Sequence, residues 1–102
     1  MPNPKTRFLG TGSFLPEQVR TNDDIRDMGV DTCDEWISTR TGIRERRIAA
    51  PTMQTSDMAT AAAIQALEMA ELSAQDLDMV IVATVTGDMP MPATAAFVQQ
   101  KL

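Results

Sequence analysis

Thr32, Trp36 and Arg40 recur every four residues within VDTCDEWISTRTGIRERR, residues 30–47. On a helix that spacing gathers them on one face. The face would carry a hydroxyl, a broad flat ring and a guanidinium. An indole stacks on a nucleobase, a contact worth roughly 1–3 kcal/mol. A guanidinium pairs bidentately with phosphate, and a threonine hydroxyl can bond a base edge. Together they could hold a nucleotide-bearing group such as coenzyme A. A plainer reading exists: Trp36 as a core anchor, with Arg40 lying over its ring as a cation–π pair. Spacing alone favours the plainer one. Arg44, Arg46 and Arg47 follow in the same stretch. They read equally as a solvated arm interleaved with Glu45 or as a surface for phosphate or an acidic protein.

Other reactive side chains carry less. Cys33 is the only cysteine. A helix start favours a thiolate, but Asp34 and Glu35 oppose one, and the chain has no histidine to act as base. Cys33 is therefore read as a small residue at a helix start. One cysteine without histidine also excludes a four-ligand zinc site and a Cys–His or Ser–His pair within these residues. Asp23, Asp24, Asp27 and Asp31 lack metal-loop spacing and read as caps and solvated faces. Gly10 and Gly12 lack the third glycine and the lysine of a phosphate loop, so GTG reads as a tight turn.

The 102 residues, 43% apolar and 23% charged, suit one small globular domain. Aromatics are only 4%, so the core should be thin, as in a piece of something larger. A net charge of −5 disfavours general nucleic-acid binding. No run approaches the ~20 apolar residues of a membrane span, and the start lacks a secretory signal. A lone cysteine fits a reducing compartment. The expectation is a cytoplasmic protein.

These residues need elements to hold them. KTRFLG, 5–10, reads as a strand start, and TGSFLPEQVR as a strand end or loop. Thr21 or Asn22 caps a short helix that Gly29 ends. TCDE reads as a capping box, with Thr32 at the cap and Glu35 answering it; Gly42 closes that helix. GIRERRIAA alternates like an exposed strand or arm. Thr55 or Ser56 caps a helix over 55–71 whose Ala59, Ala62, Ala63, Ala66 and Ala70 form a close-packing side. SAQD turns. MVIVATV, 79–85, lacks alternation and reads as a strand buried on both faces. After the loop TGDMPMP, another helix starts at ATAAF. The order is α/β, with a sheet that looks incomplete.

Three blocks, GTGSFLPEQVRTNDDI, DTCDEWISTRTGIRERRIAA and MVIVATVTGDMPMPATAAFVQ, resemble the N-terminal region of β-ketoacyl-acyl carrier protein synthase III. The DEWI…TRTGI…RER block is the most specific. The resemblance implies the N-terminal part of a thiolase-like fold, five-layer α-β-α-β-α in the full-length family and incomplete here. Residues 1–102 would belong to the first thiolase-like half. It implies an acyltransferase that starts type II fatty-acid synthesis by decarboxylative condensation of acyl-CoA with malonyl-acyl carrier protein, as a homodimer with no tightly bound cofactor. Thr32 would contact the CoA base, Trp36 would stack on the adenine, and Arg40 would lie near the phosphates. Met91 takes the place of a residue, often phenylalanine, that reaches across the dimer into the partner's acyl pocket. The family's nucleophilic cysteine, histidine and asparagine find no counterpart in these residues, so the chain alone is expected to be inactive. Two alternatives stand beside this: a non-catalytic CoA- or partner-binding module, and a related synthase using another acyl-CoA.

Overall fold

Thr21 ends a strand and opens a helix at once. Its hydroxyl accepts from the Asp24 amide, and the Asp24 carboxylate accepts from the Thr21 amide at 2.8 Å. This reciprocal cap starts α1, Asn22–Asp27. Upstream lies β1, Gln18–Thr21; downstream come α2, Asp34–Thr41, and β2, Glu45–Ile48. α3 spans Thr55–Ala70, a 3₁₀ turn spans Ala74–Asp76, and α4 spans Thr94–Lys101. The computed structural model describes residues 3–102. They divide into two compact units, Leu15–Thr52 and the residues up to Phe14 together with Met53–Leu102.

In the Leu15–Thr52 unit, β1 and β2 pair antiparallel, Gln18 opposite Ile48 and Thr21 opposite Glu45. Of the exposed strand or arm expected after Gly42, the fold makes a strand, the second of this antiparallel pair. β1 falls in the stretch read as a strand end or loop. Gly42 ends α2 with φ +74°, the left-handed geometry that glycine adopts without steric cost. Ile37 is the buried apolar residue of this unit. In the same unit Asn22 is buried and acts as a polar hub. Its amide donates to Asp34 Oδ1 at 2.8 Å and to the Ile43 carbonyl at 2.7 Å, while its Oδ1 accepts from Arg46. A buried amide with its donors and acceptor engaged ties α1, α2 and β2 where apolar side chains are few.

In the other unit, α3 presents its alanines as expected. Gly10 and Gly12 lie against them: a β-carbon on Gly10 would overlap the Ala66 carbonyl, and one on Gly12 the Ala62 carbonyl. The GTG glycines therefore serve close backbone approach to α3 rather than a tight turn. The Ser13 amide donates to Gln65 Oε1 at 3.2 Å, fastening the same segment. α3 is capped at Gln54, one residue before Thr55 and two before Ser56, the expected caps, and the Gln54 amide donates to Asp57 Oδ2 at 2.8 Å. α4 packs on α3, and Val98 is its buried apolar contact.

Two expected strands are absent among the described residues. Residues 5–10 and 79–85 run without a ladder. A strand needs a partner to accept its amides, and neither segment has one here. The 79–85 run is not buried on both faces either. Val80 and Val82 are half-buried, lining a groove with Ala59, Ala63 and Val98, while Ile81 is 81% exposed. Continuous apolar sequence reveals that both faces tolerate burial, not that both are covered. No described helix is long and apolar enough to cross a membrane.

Asp57 joins α3 to α4 through Lys101, whose Nζ donates to its Oδ1 at 2.6 Å. That bond first, and the Gln54 amide second, hold the Asp57 carboxyl below its ordinary range. Such a carboxylate contributes stability above the unfolded pKa, about 3.9, and the contribution disappears as pH falls through the lower folded value. Asp57→Asn should therefore be less stable than the parent at pH 7, and the gap should be smaller at pH 2. Urea melts at the two pH values measure it.

Candidate functional site

α2 is built around its own cap. Cys33 takes an extended conformation, and its Sγ accepts from the Trp36 amide at 3.4 Å. The helix therefore begins one residue later than the Thr32–Glu35 box predicted. Cys33 is exposed and caps a helix, the small structural role read for it. Thr32 lies outside the helix, before the cap. The stepwise spacing of the three residues is thus helical only between Trp36 and Arg40.

Those two meet. The Arg40 Cζ sits 4.7 Å from the centroid of the Trp36 ring. This is the cation–π arrangement that spacing favoured, yet Trp36 is no core anchor, being 53% exposed. One guanidinium covers one face of an indole; a flat π-surface of that size on an open helix is a stacking platform. The Thr39 hydroxyl donates back to the Glu35 carbonyl at 2.6 Å, which stiffens the same turn. The Thr32 hydroxyl is buried and has no hydrogen-bond partner among the described residues. Rotation about χ1 would exchange it with the methyl group, so the side chain has a polar arm free for other use.

The arginines beyond Arg40 divide. Arg46 donates to Asn22, and Arg47 Nη1 donates to the Pro16 carbonyl at 3.0 Å. Both are engaged within the Leu15–Thr52 unit, whereas Arg44 is exposed and makes no side-chain bond among the described residues. The aspartates are similarly occupied: Asp24 caps α1, and Asp23 and Asp27 flank Arg26 at 3.0 and 2.9 Å. Hydrogen bonding to Asp27 raises the Arg26 pKa, and the Thr21 amide lowers that of Asp24.

Met91 lies in the loop before α4 and is 84% exposed. A polar cluster without a local sequence signal lies in the same unit. Ser56 is fully buried; its amide donates to Asp88 Oδ1 at 2.8 Å and its hydroxyl to Asp88 Oδ2, while Lys101 Nζ donates to the Ser56 hydroxyl at 2.6 Å. The only sequence cue was Asp88 in a Gly-Asp turn, which names no distant partner.

No family model matches the chain. It is 63% identical over 95 residues to the β-ketoacyl-[acyl-carrier-protein] synthase III of Caldanaerobacter subterraneus subsp. tengcongensis, covering 93% of this chain and 28% of that protein. With the synthase III of Xylella fastidiosa the identity is 56% over 96 residues, covering 94% and 29%. The crystal structure of 3-oxoacyl-[acyl-carrier-protein] synthase III from Aquifex aeolicus matches at TM-score 0.83 and 50% identity, over 91% of this chain and 30% of that one. A priming β-ketosynthase of a polyketide biosynthetic pathway matches at TM-score 0.84 and 34% identity, over 98% and 31%. The chain thus spans about 30% of the length of the relatives it matches. In sequence and in its α/β, thiolase-like fold, the chain is similar to about 30% of β-ketoacyl-[acyl-carrier-protein] synthase III.

Proposed function

We propose that this chain is the N-terminal part of a condensing enzyme that joins an acyl-CoA to malonyl-acyl carrier protein with loss of carbon dioxide, and that its Trp36 patch receives the adenine end of the acyl-CoA. The observation that carries the reading is the open Trp36 ring with the Arg40 guanidinium over one face. One ring face is left for a base, and a fixed cation stands beside it for phosphate. The Thr32 hydroxyl, without a partner among the described residues, supplies a bond to the base once turned outward. The rest of the enzyme provides the nucleophilic cysteine, the histidine and the asparagine. The whole works in the cytoplasm as a homodimer without a tightly bound cofactor, and Met91 enters the acyl pocket of the partner subunit.

Thr32 gives the sharpest test. Thr32→Val keeps the shape and removes the hydroxyl. A merely structural Thr32 predicts no change in substrate binding. A base-binding Thr32 predicts that the whole synthase keeps or gains stability, because an unsatisfied buried group is removed, while KM for acyl-CoA rises by about 2- to 10-fold, one neutral hydrogen bond. Steady-state kinetics and a thermal melt on the same variant decide. A KM unchanged within error removes Thr32 from the site.

A second reading concerns the substrate. The likeness to a priming ketosynthase of polyketide synthesis extends along 98% of this chain, and Met91 is a flexible side chain that adapts to varied shapes. A related synthase using an acyl-CoA other than acetyl-CoA fits both observations.

A further inference from the structure

The loop from Thr86 to Pro92 is fastened at its beginning. The Thr55 hydroxyl donates to the Thr86 carbonyl at 2.5 Å, and Ser56 grips Asp88 with both its amide and its hydroxyl. The Asp88 amide in turn donates to the Thr94 hydroxyl at 3.2 Å, so the loop closes on the first turn of α4. Gly87 permits that closure, since a β-carbon there would overlap the Thr94 hydroxyl. Among the described residues, Met89 to Pro92 make no side-chain hydrogen bond, and Met91 is largely exposed. The position of Met91 therefore descends from the anchors three residues to either side, Asp88 and Thr94.

Asp88 is the centre of this arrangement. Its two carboxylate oxygens meet two donors of one fully buried residue, which fixes the plane of the carboxylate as well as its distance. It lies at the N-terminus of α3, where the helix dipole favours a negative charge. Lys101 completes the relay: its ammonium donates to the Ser56 hydroxyl, which is then directed to donate to Asp88. Chains of bonds of this kind hold one geometry better than their members do separately. The result is a rigid post, set by α3 and α4, from which the Met91 tip projects.

We propose that Asp88 is a positioning residue for acyl-chain selection: held by Ser56, with Lys101 behind it, it sets where Met91 stands. The inference rests on the reading of Met91 as an acyl-pocket residue. A misplaced Met91 should blur the discrimination between acyl chains more than it lowers stability or the rate with any one substrate.

The test uses the full-length synthase and two substrates, acetyl-CoA and octanoyl-CoA. The readout is the ratio of their kcat/KM values. Met91→Ala checks the underlying reading and should change the ratio by about tenfold, the scale of a reshaped apolar pocket. Asp88→Ala should move the ratio toward unity by a similar factor of about ten, and Asp88→Asn, which keeps the acceptor for the Ser56 amide, should fall between it and the parent. If Met91→Ala shifts the ratio and Asp88→Ala leaves it unchanged, the positioning role is overturned and the Met91 reading survives. If Met91→Ala leaves it unchanged, both are overturned. Should Asp88→Ala fail to fold, Thr55→Val, which releases the Thr86 carbonyl, carries the same decision.

Discussion

Trp36→Ala in the full-length synthase should raise KM for acyl-CoA by roughly 5- to 150-fold, the equivalent of the 1–3 kcal/mol that one stacked base contributes. The turnover number should hold within about twofold, because the adenine end is remote from the thioester and binds ground and transition states alike. A half-exposed ring carries little of the fold, so the melting temperature should scarcely move. The control is a truncated thioester that lacks the nucleotide. Its kinetics should be the same in parent and variant. An equal loss with the truncated substrate would show that Trp36 supports the enzyme in some way other than stacking. Trp36→Phe should recover much of the binding, since a smaller ring still offers a face to the base and to Arg40.

Gly12→Ala should be strongly destabilising for the addition of a single carbon. The added β-carbon would overlap the Ala62 carbonyl and crowd the Ala66 amide at 2.8 Å. Both are backbone atoms of α3, so no rotamer change on the helix relieves the clash. The segment must lift from the helix, at a cost of about 1–3 kcal/mol or more, as for other overpacked contacts. Lifting also strains the Ser13–Gln65 bond. A urea melt of the full-length protein reads the loss as a lower midpoint with an unchanged slope. A midpoint equal to the parent's would mean that Gly12 has room which the close approach denies.

The helices were legible because their signals are local. Thr21 and Asp24 sit three apart, Gly42 stands just past the last turn of α2, and the alanines of α3 recur along one side; each cue lies within one or two turns of what it controls. The start of α2 shifted by one residue because two neighbours, Thr32 and Cys33, compete for the cap and the sulfur takes the amide of Trp36. That shift removed Thr32 from the helix face while leaving the Trp36–Arg40 pair intact. Burial of 79–85 was misread for a different reason. Its valines and isoleucine suit a covered strand, but cover is supplied by partners that lie elsewhere in a sequence, and local pattern cannot count them. The Ser56–Asp88–Lys101 relay was out of reach for the same cause: its links join residues 32 and 45 positions apart. Serine, aspartate and lysine are common surface residues, and nothing in their neighbours marks these three as a set. Asn22 was weighed only as a helix cap, whereas the fold uses it as the hub of an otherwise thin core.

The unit from Leu15 to Thr52 interrupts the other one along the chain and begins and ends with paired strands, Gln18 opposite Ile48. Its exit thus lies beside its entrance. A segment with neighbouring ends can be inserted, deleted or exchanged as a cassette without stretching the host chain. Trp36 and Arg40 both ride on this cassette, whereas Met91 and Asp88 belong to the interrupted unit. On the roles proposed for these residues, recognition of the nucleotide handle and choice of the acyl cargo would therefore be separately heritable. One recombination event could give a synthase a new carrier while preserving its taste in chains, and a few point changes around Met91 could do the reverse.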